Sequence, residues 1–280
     1  MLTVSDHDRD LAGLVYVYPV LSRRAGGVSL GINLNPNNAC NWHCAYCQVP
    51  NLARGRAPKI DLDRLEAELR DFLAAICRGG WLSRNAPEGA RVLKDLAFSG
   101  NGEPTGAAEF PDAVALVARL RAEFALDRRV ALRLISNGSL LGQARVREGI
   151  RCLAQAGGEV WFKLDAGTGE SMAKINGVRL APRTVARHLA TCAALCPTWV
   201  QTCVFRWDNQ PPDDAELDAW FDLLDRANVG GGAIEGVLLY GVARPSLQPE
   251  GARISPLSAA ELAAIVSRIK EKGLTVRVSP

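Results

Sequence analysis

The sequence predicts an α/β fold with parallel strands, arranged as an open or partial barrel. Three observations predict it. Short apolar runs alternate with amphipathic helices along most of the chain. The helical stretches are long enough to cross between parallel strands. The unusual polar and glycine-rich segments fall just after the strands, where α/β folds build their sites. The chain has 280 residues, 48% of them hydrophobic, which is enough for a large core in one domain.

The elements follow in order. Val28 to Leu34 reads as the first strand, and a cysteine-rich loop follows it. Leu62, Leu65, Leu69, Leu73 and Ile76 recur at helical spacing, with Asp61 as a cap and Gly79-Gly80 as a stop. Val92 to Phe98 is the next strand and Phe110 to Phe124 the next helix. Val130 to Ile135 and Arg145 to Ala156 repeat the pair, and Val160 to Leu164 is a fourth strand. The helix over Pro182 to Cys196 opens on a proline and closes before Pro197. Trp199 to Phe205, Asp214 to Ala227 and Ile234 to Tyr240 continue the alternation. Leu257 to Lys272 is the last long helix, and Leu274 to Val278 a final strand. Residues 1–27 read as an N-terminal extension of one domain spanning 1–280.

Six polar segments follow strands: the cysteine loop, Ser99 to Thr105, Ser136-Asn137-Gly138, Asp165-Ala166-Gly167, Arg206 to Asn209, and Gly241 to Arg244. These are the expected walls of one active-site cavity.

Charge does little to define a partner. The chain carries 33 basic and 30 acidic residues, a net +3, too mild to indicate nucleic acid by itself. Arg23, Arg24, Arg54, Arg56 and Lys59 flank the cysteine loop and read as solvated surface residues. The first ten residues lack the basic-then-apolar pattern of a secretory signal, and no run of about 18 apolar residues offers a membrane span. The expectation is a cytoplasmic protein with no membrane partner. Its eight cysteines then favour metal or redox chemistry over disulfides.

The chemistry concentrates in Cys40-Asn41-Trp42-His43-Cys44-Ala45-Tyr46-Cys47, three cysteines spaced C-x3-C-x2-C. Fully ligated iron–sulfur clusters take four cysteines; three leave one iron open to a small molecule. The competing reading, from another class, is a zinc-stabilised binding module. A structural zinc site asks for a fourth Cys or His. His43 adjoins Cys44 and is awkwardly placed for the same ion, and no second C-x2-C pair follows.

The loop, with Tyr46 in its aromatic slot, resembles the signature of the radical S-adenosylmethionine (SAM) enzymes. Asn101-Gly102-Glu103-Pro104 is similar to that superfamily's Gly-Gly-Glu-Pro motif, with Asn101 at the first glycine. Ser22-Arg23-Arg24, Gly31-Ile32-Asn33, Ser136-Asn137-Gly138 and Lys163 to Gly167 extend the likeness. The whole pattern resembles the iron–sulfur oxidoreductases related to wyosine-type tRNA-modifying synthetases, from about residue 17 to about residue 245.

The resemblance implies a partial (β/α)6 TIM-type barrel with parallel strands, holding a four-iron four-sulfur cluster and SAM. Cys40, Cys44 and Cys47 would ligate the cluster. Tyr46 would lie near the adenine, and the Gly102 backbone with the Glu103 carboxylate would bind the SAM ammonium. Ser136 and Asn137 would bind the ribose hydroxyls or the SAM carboxylate. Lys163 and Asp165 are the catalytic candidates. They alternate along a strand and share a face, where they would touch SAM or substrate, with Lys163 as a Schiff-base lysine or the two as a structural ion pair. Gln201, Arg206, Tyr240 and Arg244 fall where substrate would sit. The partners implied are a reducing electron donor such as flavodoxin or ferredoxin and a substrate that is tRNA or a small metabolite. An activating enzyme that installs a glycyl radical in a partner protein is the alternative. Residues 1–39 hold no cysteine, unlike the full wyosine-type synthetases with their second cluster.

The remaining cysteines read as core. Val185, Leu189, Cys192 and Cys196 form one helical stripe. The sharper alternative is a second metal site from Cys192, Cys196 and Cys203, with His188 one turn away. Cys77 reads as structural and Cys152 as ambiguous.

Overall fold

The protein is described here as a computed structural model, covering residues 2–3, 13–126, 129–228 and 233–279. The chain divides into two compact units. The first holds residues 1–41, 55–136 and 143–159; the second holds 42–54, 137–142 and 160–280.

The first unit has strands β1 (Val17–Ser22), β2 (Gly27–Ile32), β3 (Leu93–Phe98) and β4 (Ala131–Ser136). Its helices are α1 (Leu62–Cys77), α2 (Phe110–Glu123) and α3 (Ala144–Gln155). β2 pairs in parallel with β3, and β3 with β4, as the alternation predicts. β1 lies in the stretch read as an N-terminal extension, and it pairs antiparallel with β2 from Val17↔Ile32 to Ser22↔Gly27. Its apolar, β-branched run suits a strand, and it needs only the four-residue turn 23–26 to fold back. Gly31 is required by this pairing: a Cβ there would lie 2.1 Å from the Tyr18 ring.

Glu68 ties α1 to β1. Its carboxylate accepts from the backbone N–H groups of Val15 (3.0 Å), Tyr16 (2.8 Å) and Val17 (3.3 Å), and from Arg64 Nε (2.8 Å). Glu68 is 8% exposed, so an apolar replacement leaves those donors stranded. Glu68→Ala is expected to lower stability by about 2–4 kcal/mol, read as a lower urea midpoint at unchanged slope. Arg64→Ala removes an exposed partner and is expected to cost under about 1 kcal/mol. Equal effects of the two would mean that the backbone N–H bonds are not what matters.

The second unit has strands β5 (Glu159–Lys163), β6 (Thr198–Val204), β7 (Gly236–Gly241) and β8 (Val276–Ser279). Its helices are α4 (Gly169–Asn176), α5 (Pro182–Leu195), α6 (Asp214–Asn228) and α7 (Ala259–Glu271). All its strand pairs are parallel: β5 with β6, β6 with β7, and β7 with β8. Helix α4 has no counterpart in the sequence reading. It spans 8 residues, opens on a Thr168 cap and stops at Gly177 with φ 67°, too short for a visible period. Gly167 brings the β5–α4 turn hard against α6, since a Cβ there would meet the Ala219 and Trp220 backbone at 2.2 Å.

The architecture is therefore mixed α/β, with eight principal strands and all but the β1–β2 pair described above parallel. The polar segments after β3 to β7 begin where those strands end or within a few residues of it, while the cysteine loop begins at Cys40, further beyond the end of β2 at Ile32. Among the described residues, no helix is long and apolar enough to cross a membrane.

Candidate functional site

In the second unit the cysteine loop is held by backbone and amide bonds. His43 N–H donates to Asn176 O (3.0 Å) and Ala45 N–H to Ile175 O (2.8 Å), so the loop rests on the carboxyl end of α4. Gly177 makes room for it: a Cβ there would lie 2.7 Å from His43 O. From the other side, Ser246 Oγ donates to Ala45 O (2.6 Å) and Cys47 O (3.1 Å). Gln248 Nε2 donates to Cys47 O (3.2 Å) and Val49 O (3.0 Å), and Leu247 N–H to Cys47 O (3.0 Å).

Asp165 is the hub beneath this loop. Its Oδ1 accepts from Cys203 N–H at 2.9 Å; its Oδ2 accepts from Asn176 Nδ2 at 2.8 Å and from the Tyr46 hydroxyl. Asn176 Nδ2 also donates to Cys44 Sγ at 3.4 Å. Asp165 thus positions Tyr46 and Asn176, and through Asn176 it reaches a sulfur. Burial, then the Asp165 charge, pushes the Tyr46 hydroxyl well above its ordinary pKa. Burial pushes the Cys44 thiol up to about 12.

Lys163 does not pair with Asp165. Its ammonium donates to Tyr240 OH at 3.3 Å and lies 4.8 Å from the centre of the Tyr46 ring. Burial works to lower its pKa, but the potential of Tyr240, Asp165, Cys44 and Cys203 outweighs burial and raises it. Lys163 is therefore held as a cation, which suits anion binding and disfavours the free amine that imine formation needs.

In the first unit the segment around Glu103 is folded onto asparagines. Asn33 Oδ1 accepts from Asn35 N–H (3.0 Å) and Asn101 N–H (3.1 Å), and Asn35 Nδ2 donates to Ala39 O (2.9 Å). Gly102 packs into this bracket, where a Cβ would lie 2.1 Å from Ala39 O. Glu103 is 4% exposed. Its Oε1 accepts from Thr105 N–H (3.2 Å), Thr105 Oγ1 (2.6 Å) and Ser136 Oγ (2.7 Å). Ser136 thus orients a carboxylate. Asn137, in the second unit, accepts from Ser139 N–H (3.0 Å) and Oγ (2.7 Å) through its Oδ1.

Thiols are the donor type that holds iron–sulfur groups; Cys40, in the first unit, and Cys44 and Cys47, in the second, make no disulfide and are half-buried. An N–H aimed at Cys44 is the kind of contact that tunes cluster potentials. Among the described residues no three His, Cys, Asp or Glu side chains converge on a single metal ion.

The other candidates fall elsewhere. Arg206 makes a bidentate pair with Glu261 (3.0 and 2.8 Å), which occupies its guanidinium in bracing α7. Arg244 supplies its carbonyl to Gln48 Nε2 (3.3 Å). Cys192 accepts from Thr198 Oγ1 at 3.5 Å, and burial pushes its thiol up to about 12. Cys203 alternates with Thr198 and Thr202 along β6 and faces the other side of the sheet, so Cys192 and Cys203 do not share a site. Cys77, read as structural, is exposed at the last turn of α1. Sequence reasoning missed Asn176, Asn35, Ser246 and Gln248. Only Asn176 carried a local signal, the Asn-Gly pair that ends a helix.

A cleft of about 170 Å³ lies within the second unit; Asp165, Cys203, Phe205, Trp207, Glu216 and Trp220 are among its lining residues.

No family model matches the chain. A stretch of 132 residues, 46% of the chain, is 27% identical to the GTPase Obg of Brachyspira hyodysenteriae (strain ATCC 49526 / WA1), and it spans 16% of that protein's length. Among solved structures, the chain is similar to a domain of a pyruvate-formate lyase-activating enzyme from Bacteroides vulgatus ATCC 8482. That likeness has a TM-score of 0.48 and 12% identity, over 67% of this chain and 99% of that one. It is also similar to a zinc-bound amidohydrolase from Burkholderia multivorans (TM-score 0.37, 15% identity, 79% of this chain and 75% of that one). A lysine/ornithine decarboxylase from Vibrio vulnificus, complexed with cadaverine, gives a TM-score of 0.33 at 11% identity over 78% of this chain and 66% of that one. At these identities and TM-scores, none of these likenesses defines what the chain does.

Proposed function

We propose that residues 1–280 act as one radical SAM domain of the wyosine-synthetase-like type, in the reducing cytoplasm. The observation that carries the reading is the built cysteine loop: Cys44 receives an amide N–H from Asn176, which is itself fixed by Asp165. The order of motifs along the chain supports it, with Cys40, Cys44 and Cys47 first and Gly102-Glu103 second.

When bound, a four-iron four-sulfur cluster would supply the electron for reductive cleavage of the SAM sulfonium–5′-carbon bond, with methionine as the leaving group, and so the means to take a hydrogen atom from substrate. The chain's residues hold and orient. Cys40, Cys44 and Cys47 carry the cluster. Glu103, with its Oε1 set by Thr105 and Ser136, takes the SAM ammonium beside the Gly102 backbone. Asn137 meets the ribose or carboxylate. Tyr46, locked by Asp165, presents its ring to the adenosine. Lys163, kept cationic, faces the substrate. The electron comes from a low-potential donor such as flavodoxin or ferredoxin.

The test is anaerobic reconstitution with iron and sulfide, then reduction with SAM present. Wild type is expected to hold about four irons and to release 5′-deoxyadenosine, while Cys44→Ala keeps the fold and loses the product to background. A colourless protein that retains zinc, or undiminished cleavage by Cys44→Ala, would overturn the reading.

A further inference from the structure

Gln201 is 1% exposed, yet neither its Oε1 nor its Nε2 has a hydrogen-bond partner in the structure. Buried amides are almost always bonded, and an exception asks for a cause. Packing alone gives none: an apolar side chain of similar size would fill the same space without stranding a donor and an acceptor.

The register says what surrounds it. Trp161 pairs with Trp199, and Lys163 with Gln201, along β5 and β6; Leu238 of β7 pairs with Gln201. Alternation puts these side chains on one face in layers: Trp161 and Trp199 lowest, then Lys163, Gln201 and Leu238, then Asp165 and Cys203. The Lys163–Gln201 layer lies directly beneath the Asp165–Cys203 layer on this face; the cleft that Thr202 and Leu239 help to line belongs to the opposite face and includes neither Lys163 nor Gln201. Lys163 spends one of its three N–H bonds on Tyr240.

We propose that Lys163 and Gln201 form the substrate-recognition pair of this site. The substrate is a small molecule whose carboxylate pairs with Lys163 and whose amide or imide edge pairs with Gln201. An N–H meets Gln201 Oε1, and an adjacent carbonyl meets Nε2. This deepens the radical SAM reading and rests on it for the use to which binding is put. A transfer RNA or a partner protein would instead need a broad charged or apolar surface.

The probe is N-acetylglycine, which carries both groups, titrated into the full chain by calorimetry beside acetate and N-methylacetamide. N-acetylglycine is expected to bind, with either fragment weaker by about tenfold or more, as for losing a desolvated polar pair. Gln201→Met is expected to weaken N-acetylglycine by about tenfold and to raise the melting temperature of the free protein, because it removes a stranded amide. Gln201→Glu is expected to abolish binding, its carboxylate claiming Lys163. No binding by wild type overturns the pair, as does unchanged binding by Gln201→Met. So does a lower melting temperature for that variant, which would show the amide already used within the fold. Iron content and 5′-deoxyadenosine release report separately on the radical SAM reading. Probe binding without SAM cleavage would sink that reading and keep the pair; cleavage without probe binding would do the reverse.

Discussion

Replacing Asp165 with alanine is expected to cost about 2–4 kcal/mol of stability, the effect of stranding several buried hydrogen-bond donors at once. The residue is 9% exposed and accepts from Cys203 N–H, Asn176 Nδ2 and the Tyr46 hydroxyl. Alanine strands all three donors. Because Asn176 also donates to Cys44, the damage reaches the cysteine loop. Iron uptake on reconstitution should fall together with the urea midpoint. Asp165→Asn keeps an oxygen for Cys203 N–H but turns a donor toward Asn176 Nδ2, so its loss should be roughly half that of alanine. If Asp165→Ala melted within about 1 kcal/mol of wild type, the hub described above would be wrong.

The second large effect is expected from Gly102→Ala. The added methyl would lie 2.1 Å from Ala39 O and 2.7 Å from the Asn35 amide. Neither can yield, because Asn35 Nδ2 donates to that same carbonyl. Overpacking against backbone typically costs about 1–3 kcal/mol or more, and here the displaced segment carries Glu103. SAM affinity by equilibrium dialysis should drop by about tenfold or more, as for a lost charge-assisted contact. Gly106→Ala is the control: its nearest neighbour would be Ala57 N at 4.0 Å, so stability should stay within about 0.5 kcal/mol. Equal losses in the two variants would point to a general intolerance of this loop.

The alternation of strands and helices was legible because each core helix carries a clear 3.6-residue stripe; Leu65, Leu69, Leu73 and Ile76 of α1 are all buried. The shared face of Lys163 and Asp165 was legible too, since strand alternation is local. Their partners were not. Lys163 reaches Tyr240, 77 positions on, and Asp165 reaches back 119 positions to Tyr46; only strand register and loop path decide such meetings. β1 escaped notice because an edge strand is defined by its neighbour and because Pro19 interrupts its pattern. Asn176 illustrates the same limit. A neutral amide acquires a role from what faces it, and composition carries no trace of that.

The clamp on the cysteine loop bears on the order of events in the cell. Its donors, Ser246 and Gln248, lie 201 and 199 residues beyond their acceptors at Ala45 and Val49. A chain emerging from the ribosome exposes Cys40, Cys44 and Cys47 long before it has made anything to brace them. Closing so long a span comes late in folding. Every acceptor in the clamp is a main-chain carbonyl, so bracing waits on the arrival of the distal segment and not on which side chains the loop carries. Any delivery of iron and sulfide that relies on a fixed loop must therefore act on a nearly finished polypeptide, and a premature stop before residue 246 would leave thiols that are present but unready.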